Sequence, residues 1–267
     1  MDRRSKYALA ALVAVCVFSF VTLLWVGRDI YQQSPPMPTA VVDSRGQVLF
    51  RDSDIDKGQL AWRSMGGHQL GSIWGHGAYV APDWTADWIH KEQLLWLDYV
   101  AAELYHSTFS ALTIAEQDAL LDRYRREIRN NSYDASTGVI VVSVERARAI
   151  KALQQYYVSL FGDDEASAEE RDAYAMKNNS LVDPARREAF AAFVFWSAWA
   201  AVTERPGENY SYTNNWPYDP SIGNTITPDS VFWSIISLVL LLIGVGALVW
   251  YHAALKEEPL QGPAKDP

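Results

Sequence analysis

The chain has 267 residues, 49% of them apolar and 13% aromatic, with 11 tryptophans and a formal charge of −9. That supplies apolar material for one or two cored domains, and the acidic balance argues against nucleic acid or an anionic lipid face as main partner. The single cysteine, Cys16, excludes a disulfide framework. It also excludes a Cys-x-x-Cys-His haem-attachment site, which needs two thiols and a following imidazole.

Residues 7–26 form a run of 20 without a charge, preceded by Arg3, Arg4 and Lys6, and residues 231–251 form a second run of 21. Each can cross a hydrocarbon core of about 30 Å at ~1.5 Å per residue, and only helices satisfy their own backbone in lipid. Two membrane helices are therefore predicted. The basic start places residues 1–6 and 252–267 in the cytoplasm and 27–230 outside. Trp25 and Trp233 then mark the outer interface, Tyr7, Trp250 and Tyr251 the inner one. A cleaved signal peptide is the competing reading of the first run; its length and the lack of a small-x-small cleavage site favour an anchor. Cys16 lies in this run and reads as a packing residue. The segment 27–230 carries 18 basic against 28 acidic residues.

After the first span, Ser34-Pro35-Pro36-Met37-Pro38 is a stiff linker. Residues 40–50 read as a short hairpin around Asp43-Ser44-Arg45-Gly46. A helix over 53–65 stops at Gly66-Gly67, and a longer one starts at Asp83 or Thr85 and runs to His106. Thr113-x-x-Glu116 is a capping box before an amphipathic helix that ends at Asn130-Asn131. Residues 138–143 read as a strand, and 145–160 as a helix closed by Gly162. Ser167-x-x-Glu170 reads as a second capping box. Asp183-Pro184 opens a helix with a good N-cap and Pro at its first position. Its residues 190–202 are apolar on nearly every face and too short to span, so they are buried in protein or lie on the membrane surface. Arg205-Pro206-Gly207 ends it, and 208–228, rich in Asn, Pro, Tyr and Gly, is a loop.

Candidate chemistry is sparse. The histidines are His68, His76, His90, His106 and His252, none inside a predicted span. His252 at a span mouth snorkels to headgroups, and His68 and His76 are too few for a metal site. There is no Gly-x-Ser-x-Gly, Walker loop or dinucleotide fingerprint. Asp163-Asp164-Glu165 reads as a solvated cluster. The turn from Gly75 to Tyr79 is either a plain tight turn or a set of backbone carbonyls suited to a hard cation such as calcium.

Several long, Trp- and Asn-rich words carry a resemblance. They are Trp25-Val26-Gly27-Arg28-Asp29-Ile30-Tyr31-Gln32-Gln33, residues 62–67, residues 71–88 (GSIWGHGAYVAPDWTADW), and residues 195–217, which contain Trp196, Trp199, Arg205-Pro206-Gly207 and Tyr210-Ser211-Tyr212-Thr213-Asn214-Asn215-Trp216-Pro217. The chain resembles the N-terminal region of quinol-dependent nitric oxide reductases, in the haem–copper oxidase superfamily. That resemblance implies a mainly α membrane protein, in which two transmembrane helices flank a mostly helical, haem-free cytochrome c-like periplasmic domain with a small β-hairpin. In cytochrome-dependent relatives the haem-attachment motif runs into Gly-x-Gly-Ala-Tyr. Aligned on Gly75 to Tyr79, it puts Gly67, Leu70 and Gly71 where the two cysteines and the histidine would stand. A calcium at the interface, by the same carry-over, would involve Gly77 and Tyr79.

Members of the family continue into a multi-span domain with haem b groups and a non-haem iron, where denitrification chemistry turns two NO into N₂O and water with electrons from quinol. This chain ends at Pro267, so it is expected to be a front part, a split-gene product or a separate subunit, without cofactors of its own. It would dock on the haem-bearing catalytic subunit through Trp196, Trp199, Asn214, Asn215 and Trp216, with quinol serving the core. A two-span periplasmic sensor or ligand-binding module and a self-sufficient redox subunit are the alternatives.

Overall fold

The computed structural model describes residues 3–79 and 81–255. The predicted terminal segments 1–6 and 252–267 fall partly outside them. Helix dominates, and the chain divides into two units, residues 1–224 and 225–267. Both charge-free runs are helical, as α1 (Arg3–Gln32) in the first unit and α8 (Pro228–Leu255), which makes up most of the second. Their apolar stretches, Leu9–Gln32 and Pro228–Ala254, are each long enough to cross a membrane, and none of either is buried within the protein. Apolar surface of that extent calls for lipid or another protein around it.

The predicted hairpin forms from β1 (Ala40–Asp43) and β2 (Val48–Arg51). Asp43 pins its turn: Oδ1 accepts the N–H groups of Gln47 at 2.8 Å and Arg45 at 3.0 Å. Those bonds, the one from Gln47 foremost, hold its carboxyl below the usual carboxylate range against the opposing effect of desolvation. The strand expected within 138–143 is β4 (Val139–Val142), and it pairs parallel to β1 with Val41 opposite Ile140. A two-residue strand, β3 (Tyr133–Asp134), too short to show alternation, completes the order β2-β1-β4-β3.

The helices between follow their caps. α2 (Asp52–Ser64) ends at Met65 before the two glycines. α3 (Trp84–Tyr105) starts on Asp83, whose Oδ1 accepts the Ala86 N–H at 3.0 Å. Thr113 and Glu116 form the predicted box at the start of α4 (Ile114–Arg129). α5 (Val144–Leu160) follows. The box expected at Ser167 and Glu170 does not form. Ser167 sits at φ −105°, ψ 10°, outside the extended region an N-cap needs, and its hydroxyl pairs with that of Ser159. Asp164 caps a single 3₁₀ turn, Glu165–Ser167, instead, and α6 (Ala168–Ala173) is only six residues long.

α7 (Pro184–Val202) decides the fold. Every residue from Ala189 to Val202 is buried, which settles the choice between protein core and membrane surface in favour of the core. Gly58 of α2 lets the two helices touch: a Cβ there would run into the Ala189 carbonyl and Phe193. Around α7 stand the fully buried Trp84, Trp88, Trp96, Tyr157 and Phe161. One ion pair is enclosed with them. Arg146 Nε donates to Glu92 Oε1 at 2.5 Å, and the Trp88 indole donates to Glu92 Oε2 at 2.7 Å. Burial is the largest influence on Arg146 and lowers its pKa, but Glu92, Tyr124 and Glu127 together outweigh it and the net direction is upward.

Candidate functional site

Two loops hold the residues singled out by the sequence, 66–83 before α3 and 203–224 after α7. The first is tied to Asp83. Its Oδ2 accepts the Ser72 hydroxyl and the Gly75 N–H, each at 2.6 Å, while Ser72 Oγ accepts the Gly77 N–H at 2.8 Å. Ala78 N–H closes the turn on the Ala81 carbonyl at 2.8 Å. Indole groups hold the rest of the backbone: Trp62 Nε1 donates to the Gly71 carbonyl and Trp84 Nε1 to that of Leu70, both at 3.1 Å, and Trp74 Nε1 reaches the Ser197 carbonyl of α7 at 2.8 Å. An indole suits this work because its apolar body fills the core while its single N–H satisfies a carbonyl that water no longer reaches.

That packing bears on haem attachment. Gly67 has φ +55° and faces the six-membered ring of Trp62 at 3.8 Å from where its Cβ would stand. Gly71 has φ +125°, and any Cβ there would collide with the Trp84 indole. The positions that the alignment gives to two thiols and an imidazole carry neither; the third is blocked by the Trp84 indole, and the first borders Trp62 at ordinary contact distance. His68, the nearest imidazole in sequence, is exposed and meets Trp62 edge-on with ring centroids 4.8 Å apart. These residues do not fit a covalently attached haem.

The second loop is held by two arginines. Arg129, the last residue of α4, pairs with Glu204 at 2.8 Å and also donates to the Asn209 and Gly223 carbonyls, Asn224 Oδ1 and Asn215 Oδ1. Arg205 donates to the Ser211 and Tyr212 carbonyls and to Gln33 Oε1 just past the end of α1. Asn214 and Asn215 adopt left-handed backbone, at φ +55° and +62°. The Asn215 side chain closes back on the Ser211 N–H at 2.9 Å, and Asn224 Nδ2 donates to the Ala201 and Pro217 carbonyls. Asn and Asp tolerate such dihedrals because their side chains satisfy nearby backbone. Sequence reasoning passed over Arg129 and took Arg205 only as the end of a helix; the signal for their role was a guanidinium, with five donors, next to a segment crowded with amide and carbonyl acceptors.

The two loops meet. Trp216 Nε1 donates to the Gly75 carbonyl at 2.9 Å, and His76 lies edge-on to the Trp216 ring at 4.6 Å. Candidate residues from 75–79 and 214–216, over a hundred positions apart, are thereby brought together. Tyr79 is wholly exposed, Asn214 exposed and Trp216 half-buried. Three of the expected contact residues are not surface groups. Trp199 is fully buried, Trp196 keeps 9% and Asn215 5% of their exposure, because α7 serves the core and Asn215 serves the loop. Trp196 Nε1 donates to the Pro36 carbonyl, which fastens the linker after α1 to α7. His90, His106 and His252 are exposed. No group of three or more His, Cys, Asp and Glu suited to a metal occurs among the described residues. Asp83 is already engaged, so a cation at the turn carrying Gly77 and Tyr79 would rest on backbone carbonyls.

A family model described as the cytochrome c-like domain of the nitric oxide reductase NorB matches residues 38–218. No curated protein matches the chain.

Proposed function

The chain belongs to the family of NorB cytochrome c-like domains of nitric oxide reductase, and from that premise we propose that it is the haem-free cap of a quinol-dependent nitric oxide reductase. The reading has the two apolar helices in the cytoplasmic membrane, both termini in the cytoplasm and the domain in the periplasm, in keeping with the basic start. The cap covers the outer face of a haem- and non-haem-iron-bearing core and keeps water from it. The core takes electrons from quinol and reduces NO; the cap carries none. Its contact surface is the joined face of the two loops, with Tyr79, His76, Asn214 and Trp216. A calcium on the Gly77 and Tyr79 carbonyls would bridge the two parts.

One observation carries this reading: Gly67 and Gly71 stand against Trp62 and Trp84 where a cytochrome would attach its haem. The surface argument is independent. Tyr79 exposes its whole ring on the loop whose Gly75 carbonyl accepts the half-buried Trp216 indole, and aromatic groups of this kind anchor protein interfaces. Tyr79→Ala should weaken association with the haem-bearing core by about tenfold or more, a modest hot-spot effect, without shifting the melting temperature of the isolated chain. Co-purification in detergent reads it. Undiminished association of both Tyr79→Ala and Trp216→Ala would sink the docking surface. A Soret band in the purified chain would sink the haem-free reading.

A further inference from the structure

Where α1 gives way to the linker, a cavity of about 380 Å³ opens that the docking surface does not use; Gln32, Gln33, Arg205, Glu208, Tyr210 and Tyr212 are among the residues that line it. It lies immediately beyond the apolar stretch Leu9–Gln32. Trp25 and Tyr31, 74% and 82% exposed, mark the last two turns of the helix as an interfacial belt. Its depth is thus that of lipid headgroups.

The lining carries one charge of each sign. Arg205 directs one bond each from Nε, Nη1 and Nη2 to Ser211, Gln33 and Tyr212. A guanidinium has five N–H donors, so two remain. Among the described residues no ion pair involves Arg205 or Glu208. The Tyr210 and Tyr212 rings flank the guanidinium at 5.5 and 5.7 Å, which keeps it in place and occupies the faces that a quaternary ammonium would seek. Glu208 is exposed and its carboxylate is an acceptor only.

We infer that this cavity binds the headgroup of a phosphatidylethanolamine lipid, the phosphate on Arg205 and the primary ammonium on Glu208. A phosphate matches the two spare guanidinium donors. An ammonium with N–H groups can donate to Glu208, whereas a trimethylammonium cannot, and a glycerol headgroup brings no cation. The site is independent of the proposed cap function and would exist in the isolated chain.

Native mass spectrometry of the full chain in detergent, titrated with phosphatidylethanolamine, phosphatidylcholine and phosphatidylglycerol of matched acyl chains, tests this. The first should be retained about tenfold over the other two, the ratio one charge-assisted hydrogen bond supports. Glu208→Gln should abolish the advantage over phosphatidylcholine with an unchanged circular-dichroism melt, since the Glu208 side chain supports no described fold contact. Arg205→Gln should lower retention of all three. Equal retention of the three lipids by the unaltered chain, or a preference that survives Glu208→Gln, would overturn the assignment. Displacement by equimolar soluble glycerophosphoethanolamine would overturn the lipid in favour of a free phosphate ester.

Discussion

α7 and the loop that follows it are adjacent in sequence and stand side by side in the domain, yet they are ordered by opposite means. From Ala189 to Val202 the helix is buried residue after residue, and its contacts are non-directional. From Thr203 to Asn224 the chain has little apolar content and depends on a few directional hydrogen bonds, chiefly those of Arg129, Arg205, Asn215 and Asn224. Stability in the first is shared among many atoms; in the second it is concentrated in a handful of side chains. The proposed contact surface draws on the second, so its shape can be altered while the core stays folded.

The sharpest break of that contrast is in the helix. Phe195 is fully buried, 5.4 Å from Phe50 and 6.0 Å from Trp88 between ring centroids, with the Arg146 guanidinium 5.8 Å from its own. Phe195→Ala leaves a cavity on three sides and should cost about 3–5 kcal/mol. The chemical-denaturation midpoint of the whole domain should fall, with every probe moving together. A loss confined to one segment would show that α7 is not the shared core.

Arg129→Met should do the reverse. The methionine keeps much of the stem packing and removes five described hydrogen bonds to the loop. We expect about 2 kcal/mol, with proteolysis and amide exchange rising over 204–224 while the helical core keeps its protection. If 204–224 stays as protected as before, the loop is held by something other than the guanidinium.

The same division governs what the sequence could tell. Helices declared by caps and apolar patterning, such as those opened by Asp83, Thr113 and Asp183, are legible because those signals are local. Length and composition narrow the burial of α7 to two options, since thirteen apolar residues cannot span. Its partner Gly58 gives no sign, because a close helix approach is a property of two segments. For the same reason the parallel pairing of β1 with β4 is hidden, their partners being about a hundred residues apart. At the site, the lack of thiols is plain in the sequence, but not that the Trp84 indole takes the space a side chain at Gly71 would need. Apolarity also misleads: Trp196 and Trp199 read as contact surface because hydrophobic patterning says that a face will be covered, not by what. The Ser167 box fails because a motif of two residues leaves the backbone of the first unspecified.

A finer test uses pH, since the core side of α4 holds an acid. Glu127 is pushed above the ordinary glutamate range mainly by burial, against the Ser143 hydroxyl at 2.5 Å and the nearby Arg146, both of which pull it down; Glu92 and Glu145 add to the upward push. A carboxyl whose folded pKa is raised contributes stability that is full below its unfolded value and lost as pH rises through its folded one. The difference in melting temperature between the unaltered chain and Glu127→Gln should therefore favour the unaltered chain more at pH 4 than at pH 7. Asp43, Glu116, Asp134 and Asp164, each with a lowered carboxyl pKa, lose stability as pH falls and act equally in both proteins, so they cancel from the difference. A difference that is flat across that window would mean that water reaches Glu127 through the opening lined by Ser44, Asn130, Ser132 and Val141, and the boundary between the dry helix core and the hydrogen-bonded loop would have to be drawn deeper, on the far side of the Arg146–Glu92 pair.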